Sequence, residues 1–337
     1  MRISEKHYGK TAVLKIIYAL FLTFLLVFAA KTAVYSLEPN EMGEIMIVMY
    51  HGLRPYPPKE NYLCSISDFK SDMQMLYDNG YRLISLADLL DNNIKVEKGC
   101  TPIVLTFDDG YSTAFSLEEK NGKLVTAADC CVDIINKFNE THPGFGRAGV
   151  FYICDYQGQE PFYGAGTMKQ RLTALVEMGY ELGNHTGSHS YLNKLNKESI
   201  MKDMTDVEKL VADSLPGYKM RSAAYPYGSV PNKSYQDVML KGKFGEIEYE
   251  YDVAFREKMV GGSTLPYSVE HNKLFAPRVR GSNNAVWDLG WYVRHYDKNP
   301  DERFVSDGEP DVITVPARYA QKLDVWKCLN KTLKIVE

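Results

Sequence analysis

Seven short apolar runs, separated by longer amphipathic stretches, constrain the fold of this chain more than any other feature of its sequence. The runs cover residues 45–50, 103–107, 149–154, 180–183, 222–225, 252–255 and 274–278. Each run has the length of a buried strand, and the alternation of such runs with helical patterns is typical of a parallel sheet. We therefore predict an α/β fold, a distorted (β/α)7-8 barrel in which the sheet is closed or nearly closed.

The stretches between the runs predict amphipathic helices. Phe69, Met73 and Leu76 are spaced to share one helical face, with Ser67 as the expected N-cap and Gly80 as the expected stop. Residues 130–138, 168–178 and 200–215 read in the same way, and a last strand is predicted at 311–315. The pattern weakens after residue 280, so we expect residues 40–285 to form the main domain and 286–337 an extension packed on it.

The first residues predict export. Basic residues precede an apolar run at 16–30 that only Thr23 interrupts, and Lys31 follows the run. Such a run with a positive flank is typical of a signal peptide or a single N-terminal membrane anchor, with the rest of the chain outside the membrane. No A-x-A cleavage pattern follows, which favours an anchor. Residues 1–35 are therefore expected to export the protein, which would either stay attached to the outer face of the membrane or be secreted.

Charge and cysteine content exclude other classes. The formal net charge is −4 and no cluster of Lys and Arg stands out, so a nucleic-acid partner is not expected. The six cysteines contain no C-x-x-C pair, and we predict that they are mainly small core residues. One or two disulfide bridges stay open as an alternative. The 24 tyrosines are expected to be mostly packing residues, although aromatic rings also line sugar-binding grooves.

Two motifs carry the chemistry. Asp108 and Asp109 follow a predicted strand and precede Gly110, so the strand breaks where two carboxylates meet. His185 and His189 are four residues apart, a spacing that suits one divalent ion. Asp109 with the two histidines makes a ligand set that leaves positions open for water, as in a catalytic site. The alternatives are an Asp-Asp-Gly surface turn and two unrelated loop histidines.

Further candidates fall at the ends of predicted strands. His51 follows the first strand, and Pro226 and Tyr227 follow the run at 222–225. In barrels of this kind the chemistry gathers at the carboxyl ends of the strands, so these residues should meet the two motifs there. A packed strand-end histidine is the alternative for His51. Beyond the N-terminal segment, three other histidines remain, and we expect structural or solvated roles for them: His142, His271 and His295.

These motifs together resemble the NodB-like polysaccharide deacetylases. Thr106 to Gly110 matches that family's T-F-D-D-G, the segment from His185 to His189 matches its H-[ST]-x-x-[HS], and Ala224 to Gly228 resembles its R-x-P-Y-G. The resemblance spans roughly residues 45 to 280. It implies that Asp108 is the general base, that Asp109, His185 and His189 bind the metal, and that the backbone N–H of Tyr227, after Pro226, stabilises the oxyanion.

The chain also departs from the usual pattern. Ala224 stands where the third motif has its arginine, and neither D-x-x-D-W nor a late L-x-H is present. Met49 to Gly52 resembles instead the permuted branch that includes poly-β-1,6-N-acetylglucosamine deacetylases, in which the acid histidine precedes T-F-D-D-G. The resemblance implies that His51 is the general acid. We further predict that Arg278 replaces the missing arginine near Asp108.

The resemblance implies a metal-dependent hydrolase that removes N-acetyl groups from an extracellular or cell-envelope polysaccharide. Its cofactor would be one divalent ion, zinc first, with nickel, cobalt or iron as alternatives. Peptidoglycan, chitin-type and O-acetyl polymers stay open as substrates, because specificity depends on loops. A non-catalytic glycan-binding protein is a second class of hypothesis, disfavoured by the intact ligand and proton-transfer residues. A non-haem iron oxygenase fits neither the spacing nor the predicted fold.

Overall fold

The computed structural model describes residues 15, 16, 18, 37–59, 62–155, 158–257, 263–264, 267–282 and 285–337. Almost all of the segment predicted as a signal peptide or anchor, residues 1–35, lies outside these residues. Among the helices of the described residues, none is both long enough and apolar enough to cross a bilayer.

Strands and helices alternate along most of the described chain. The strands are β1 (Ile45–Tyr50), β2 (Leu53–Arg54), β3 (Cys64–Ser65), β4 (Tyr81–Leu83), β5 (Thr101–Phe107), β6 (Leu117–Lys120), β7 (Lys123–Thr126), β8 (Val150–Ile153), β9 (Glu181–Asn184), β10 (Ser222–Ala224), β11 (Lys241–Phe244), β12 (Ile247–Glu250), β13 (Val253–Glu257), β14 (Ser263–Thr264), β15 (Ala276–Arg280), β16 (Val312–Pro316) and β17 (Thr332–Val336). The α-helices are α1 (Ile66–Asp78), α2 (Leu86–Leu90), α3 (Cys131–Thr141), α4 (Met168–Glu177), α5 (Lys197–Ser214) and α6 (Leu289–Lys298).

Seven parallel strands close into a barrel. Their order around it is β1, β15, β13, β10, β9, β8 and β5, and β5 pairs back onto β1 with Val48 opposite Leu105. Two further strands extend the sheet, β14 antiparallel to β1 and β4 parallel to β5. Each of the seven predicted strands overlaps one of the barrel strands. The predicted (β/α) barrel is therefore confirmed, with seven strands in the closed part.

Burial on both faces explains why the barrel strands read as continuous apolar runs. Every residue of β1 and of β5 is buried, because side chains of one face fill the barrel and those of the other lie under the helices. One large hydrophobic cluster contains Val48, Leu105 and Phe151, and a second contains Ile45, Ile47 and Val104. The strands are thus held firmly enough to fix the residues at their ends.

The first helix begins earlier than predicted. Ser65, not Ser67, is the N-cap of α1, and its Oγ accepts a hydrogen bond from the backbone N–H of Asp68 at 3.0 Å. The apolar periodicity in fact starts at Ile66, which packs against the core, so the cap has to lie directly before that residue. The stop is as expected, because α1 ends at Asp78 and Gly80 has a left-handed φ of 78°.

The C-terminal residues pack near the amino ends of the barrel strands. Asn40 and Val305 form an isolated β-bridge, and β16 pairs in parallel with β17. Phe304, Ile313 and Val315 belong to the same buried cluster as Ile45. The predicted strand at 311–315 is β16, whereas β17 was not predicted from the sequence. Residues on both sides of the proposed division at residue 285 share this core cluster, and the division itself stays a prediction.

The three remaining histidines lie apart from the strand ends that carry the motifs, whereas Cys154 directly follows β8 and its Sγ donates to the backbone oxygen of Asp109 at 3.8 Å. All six cysteines are buried and none forms a disulfide bridge, as expected for small core residues. His142 stacks on Phe138, with ring centroids 4.0 Å apart, and His295 pairs with Glu302 at 2.6 Å. Burial, aided by nearby lysines, lowers the pKa of His271 to about 4.

Candidate active site

Parallel strands bring the predicted residues to one end of the barrel. His51 directly follows β1, Asp108 and Asp109 follow β5, and His185 follows β9. The turn Pro226–Gly228 comes two residues after β10. Because all these strands run in the same direction, their carboxyl ends lie at the same mouth of the barrel. Residues far apart in the chain, such as Asp108 and Arg278 at 170 positions, therefore become neighbours.

Asp109, His185 and His189 converge on one point. Their ligand atoms lie within 4.8 Å of one another. The Asp109 Oδ1 atom is 3.3 Å from Nε2 of His185 and 3.1 Å from Nε2 of His189. Ligands held about 2.0–2.1 Å from a tetrahedral zinc ion lie about 3.3 Å from each other, so this spacing fits one such ion. The set consists of two nitrogens and one oxygen, which suits zinc and the neighbouring transition metals.

The hydrogen bond behind His185 fixes which nitrogen faces the metal site. Its Nδ1 lies 2.9 Å from the backbone oxygen of Ala224. A carbonyl oxygen can only accept, so Nδ1 carries a hydrogen and Nε2 is the nitrogen that faces Asp109 and is left to bind an ion in the neutral imidazole. Ala224 stands where the usual family motif has arginine, and its carbonyl thus still serves the site.

The charges of the three ligands are coupled. Burial acts to lower the pKa of His185, but the Asp108 and Asp109 carboxylates outweigh it and raise that pKa. Burial acts to raise the pKa of Asp109, but hydrogen bonds with His185 and His189 hold it well below its usual range. The two carboxylates thus favour positive charge at this point, which a divalent ion would supply.

Left-handed backbone is concentrated around these ligands. Positive φ angles occur at Asp109 (70°), Thr186 (61°), His189 (50°) and Tyr227 (55°), all of which have a Cβ atom. This region is unfavourable for residues other than glycine, and such residues cluster at active sites where the surroundings hold them. At Asp109, followed by Gly110 with φ 65°, the turn ends the strand and separates the directions of the two carboxylates.

Asp108 is paired with Arg278. The two guanidinium nitrogens Nη1 and Nη2 donate to Oδ1 and Oδ2 of Asp108, each at 2.7 Å, and Nη1 also lies 3.1 Å from the hydroxyl oxygen of Thr106. Burial acts to raise the pKa of Asp108, but Arg278 and His185 outweigh it, so the pKa lies below its usual range. Asp108 Oδ2 is 3.8 Å from Nε2 of His185, which places an ionised carboxylate beside the candidate metal ligands.

His51 lies near Oδ2 of Asp109, whereas His185 and His189 contact Oδ1 of the same carboxylate. Its Nε2 is 4.0 Å from Asp109 Oδ2, and its ring centroid is 5.4 Å from that of Tyr62. Burial lowers the pKa of His51, although Asp108 and Asp109 act to raise it. A buried imidazole of this kind gives up a proton more readily than a solvated one.

The site opens into a cavity of about 420 Å³. All the predicted residues line it except Pro226, which is buried in its turn. Met49, Tyr225 and Gly228 also line the cavity, and they belong to the motif segments. The lining residues that the sequence did not indicate are Tyr62, Tyr111, Glu257 and Arg280. These four lie outside the motif segments, so no local pattern pointed to them. The carboxylate of Glu257 and the guanidinium of Arg280 add hydrogen-bonding groups to its wall.

The ring of Tyr227 lines this cavity, and a second tyrosine ring stacks on it. The ring of Tyr227 contacts that of His189, with centroids 4.5 Å apart, and stacks on Tyr191 at 4.2 Å with an interplanar angle of 12°. Tyr191 and Tyr227 are 46% and 52% exposed, far above the other tyrosines that pack in the core. The Nζ atom of Lys194 lies 4.7 Å from the centroid of Tyr191. The wall beside the metal ligands therefore presents aromatic surface to solvent.

The turn that carries Tyr227 is fixed from behind. The Arg256 Nε atom donates to the backbone oxygen of Gly228 at 2.9 Å, and the N–H groups of Gly228 and Ser229 bond back to Tyr225 and Pro226. These bonds hold Tyr227 in its left-handed conformation at the cavity wall. The sequence indicated the turn but not the arginine that supports it.

Comparison with known proteins agrees with this geometry. Residues 95–242 match the family model described as polysaccharide deacetylase, and this range contains the two carboxylates, both metal-site histidines and the Pro-Tyr-Gly turn. This segment of the chain therefore matches a polysaccharide deacetylase domain. His51 and Arg278 lie outside the matched range, and only the barrel closure brings them to the residues of this domain.

Solved structures of deacetylases share the fold. The deacetylase domain resembles the Streptococcus pyogenes deacetylase PplD, solved in complex with acetate, with 17% identity, a TM-score of 0.53 and coverage of 76% of this chain and 98% of that one. IcaB from Ammonifex degensii aligns with 15% identity, a TM-score of 0.51 and the same coverage. These likenesses establish the barrel architecture around the deacetylase motifs.

One curated relative matches over a shorter range. The peptidoglycan-N-acetylmuramic acid deacetylase PdaC of Bacillus subtilis is 22% identical over 200 residues, which cover 58% of this chain. The chain spans only 35% of the length of PdaC. The name of this relative and the description of the family model both specify a deacetylase, which is a hydrolase.

Proposed function

We propose that this protein is a metal-dependent de-N-acetylase of an extracellular or cell-envelope polysaccharide built on N-acetylglucosamine. One observation carries the proposal. An ionised carboxylate, Asp108, lies beside the Asp109, His185 and His189 set in a cavity large enough for a sugar unit. This is the arrangement that hydrolysis of an acetamide needs, because the base and the metal ligands are separate groups.

The proposed roles follow from the positions. When bound, a divalent ion would act as a Lewis acid on the acetyl carbonyl and lower the pKa of coordinated water. Asp108 would accept the proton of the attacking water. Its two hydrogen bonds to Arg278 keep it ionised beforehand and fix its direction. Arg278 thus acts as a positioning residue for the base.

The acid would be His51. Its Nε2 lies 4.0 Å from Asp109, within the same cavity, so it can reach a leaving amine held there. An unprotonated sugar amide nitrogen is a very poor leaving group, and proton donation removes that barrier. The backbone N–H of Tyr227 would stabilise the negative charge on the acetyl oxygen, with the Arg256 bond preorganising its turn.

The exposed tyrosines support a carbohydrate substrate. Aromatic faces pack well against the apolar faces of sugar rings, and Tyr191 with Tyr227 offers such a surface at the cavity wall. A polymer would extend beyond the cavity along this wall. Export and attachment to a membrane through residues 1–35 complete the proposal, since the polymer lies outside the cell.

A second substrate class has specific support. The relative PdaC is named a peptidoglycan-N-acetylmuramic acid deacetylase, which favours peptidoglycan as the alternative polymer. Its 22% identity and partial coverage make it the weaker candidate. An O-acetyl polymer would use the same base and metal ligands, and only product analysis separates ester hydrolysis from amide hydrolysis.

The test uses the full chain purified in detergent. The protein is stripped with a chelator, reloaded separately with zinc, cobalt, nickel or iron(II), and incubated with β-1,6- and β-1,4-linked N-acetylglucosamine polymers, peptidoglycan and acetylated xylan. Acetate and free amine are measured together. We expect ion-dependent release of equal acetate and amine, highest with one N-acetylglucosamine linkage.

The control variant is Asp108→Asn, which keeps the shape of the base but cannot take up a proton. It should bind the ion and polymer and release no acetate. Acetate without amine would identify an esterase. Polymer binding by the wild type with no turnover under any of these conditions would overturn the proposal in favour of a glycan-binding protein.

A further inference from the structure

The loop between the two metal-site histidines is strained. Thr186 and His189 both have left-handed φ angles, 61° and 50°. A β-branched residue such as Thr186 is strongly disfavoured there, because its Cβ substituents crowd the backbone. Left alone, this loop would relax toward ordinary φ angles and move His189 away from His185. Some other part of the molecule has to hold it.

One residue of helix α5 holds the loop. The backbone oxygen of Asp203 accepts from the N–H of Gly187 at 2.9 Å. Its carboxylate Oδ1 accepts from the N–H of Ser188 at 2.7 Å, and Oδ2 accepts from the Ser188 hydroxyl at 2.8 Å. Three donors that lie between the two histidines therefore end on Asp203. The side chain is buried, at 7% exposure, so water does not compete for these bonds.

The close approach of loop and helix requires a glycine. A Cβ atom at position 187 would lie 3.2 Å from both the backbone oxygen and Oδ1 of Asp203, and 3.3 Å from Cβ of Asp206. These distances are tighter than ordinary contacts, and two of the three neighbours are the atoms that accept the loop's hydrogen bonds. Gly187 and Asp203 therefore form one contact that seats the loop on α5.

We propose that Asp203 is a positioning residue that sets the affinity of the site for its divalent ion. Asp203 contacts none of the three ligand side chains. It holds the backbone of residues 187 and 188, which lies between the two histidines. With the loop held, the two Nε2 atoms are already placed for the ion, and binding requires little rearrangement. The inference rests on the proposed metal site, and it concerns the assembly of that site rather than the reaction.

The experiment measures ion affinity in the full chain. Zinc dissociation constants are obtained by competition with a chromophoric chelator for the wild type, Asp203→Ala, Asp203→Asn and Gly187→Ala. Outer residues that orient metal ligands typically contribute 10- to 100-fold in affinity, so we expect a loss of about that size in Asp203→Ala. Gly187→Ala should weaken binding in the same direction. The visible spectrum of the cobalt-loaded protein should change in both variants, since the ligand geometry changes.

Asp203→Asn is the conservative variant. Its amide oxygen can still accept from the Ser188 N–H, and its amide nitrogen can donate to the Ser188 hydroxyl, so affinity should stay within about threefold of the wild type. The matched control is Asp213→Ala on the same helix, where the exposed aspartate only pairs with Lys209 at 2.6 Å. This control should bind zinc as the wild type does.

The outcomes separate the two proposals. A wild type that binds no divalent ion overturns the proposed function itself. If the wild type binds zinc and both Asp203→Ala and Gly187→Ala bind it equally well, the positioning role is wrong. Should Asp203→Ala fail to fold, the affinity of Gly187→Ala alone decides the question, and a value within threefold of the wild type overturns the inference.

Discussion

Arg278 and Asp108 form a two-pronged ion pair, with both bonds at 2.7 Å, although 170 residues separate them in the chain. Both side chains are almost completely buried, at 0% and 2% exposure. A bidentate arginine fixes both the charge and the direction of a carboxylate, which a lysine at the same place could not do. Arg278 thus lies beside Asp108, and its replacement of the usual third-motif arginine stays a prediction.

Removing Arg278 should destabilise the protein. In the metal-free state, Arg278→Met leaves Asp108 as an unpaired buried charge, so we expect the free energy of unfolding to fall by about 3–5 kcal/mol. The double variant Asp108→Asn with Arg278→Met should recover part of this loss, because the charge is gone. Denaturant unfolding of the two single variants and the double variant measures the coupling. Additive losses would show that the pair does not interact energetically.

Removing a metal ligand should abolish ion binding. His189→Ala leaves two of the three ligand atoms, and we expect zinc affinity to fall by more than about 100-fold. That value is the upper end of the loss seen when a residue that only orients a metal ligand is removed. Acetate release should fall to background at micromolar zinc. His295→Ala is the control, since that histidine pairs with Glu302 and does not line the cavity. Retention of a zinc-dependent rate by His189→Ala would contradict the proposed ligand set.

His51 should affect turnover and not the ion. We expect His51→Gln to lower kcat by about 10²–10⁴-fold, the usual contribution of one acid–base residue. Zinc affinity should stay near the wild-type value, because the closest approach of His51 to the ligand set is 4.0 Å. Steady-state kinetics and chelator competition on the same preparation separate the two effects. A parallel loss of zinc affinity would make His51 a ligand and not the acid.

Tyr191 should contribute to polymer binding. Tyr191→Ala removes the ring that stacks on Tyr227 at 4.2 Å, and aromatic contacts are worth about 0.5–1.5 kcal/mol, so KM for an oligomer should rise about 2- to 12-fold with little change in kcat. Tyr191→Phe keeps the ring and should behave as the wild type. Trp326→Ala, another exposed aromatic residue at 78% exposure, is the control away from the cavity. Equal KM values for all three variants would exclude a role for this ring.

Glu41 should make stability depend on pH. Burial, with repulsion from Asp307, raises the pKa of Glu41 from 4.5 to about 8 although backbone N–H groups of Thr314 and Asp307 donate to it. The folded protein thus holds this proton more tightly than the unfolded chain. The stabilisation is complete below pH 4.5 and is lost as pH rises toward 8, by up to about 1.4 kcal/mol per pH unit.

The comparison of Glu41→Gln with the wild type isolates this effect. The amide cannot ionise, so the fall in the free energy of unfolding between pH 5 and pH 8 should be smaller in the variant by a few kcal/mol. Denaturant unfolding at several pH values measures it. Glu248→Gln, on the exposed hairpin of β11 and β12, should keep the wild-type slope. An identical slope in Glu41→Gln would show that Glu41 is ionised in the folded protein at pH 5.

The strand positions could be predicted because burial on both faces leaves a signal in the sequence itself. The run at residues 45–50 coincides with β1, and each of the other six runs overlaps its strand. Helix ends were less certain: Ser65 and Ser67 are both good caps, and only the packing of Ile66 decides between them. The second strand of the C-terminal pair, β17, escaped prediction because its residues are mostly exposed and show no periodic burial.

The available chemistry could be read from the residues alone: two carboxylates at a strand end, two histidines four residues apart, and strands in the pattern of a parallel barrel. These signals are local, since neighbouring residues and the period of a strand create them. Three other features became visible only in the folded chain: Arg278 faces Asp108, the Ala224 carbonyl orients His185, and Asp203 holds the histidine loop. These contacts join residues 170, 39 and 15 positions apart in the chain, and their geometry depends on how the strands and helices pack against one another.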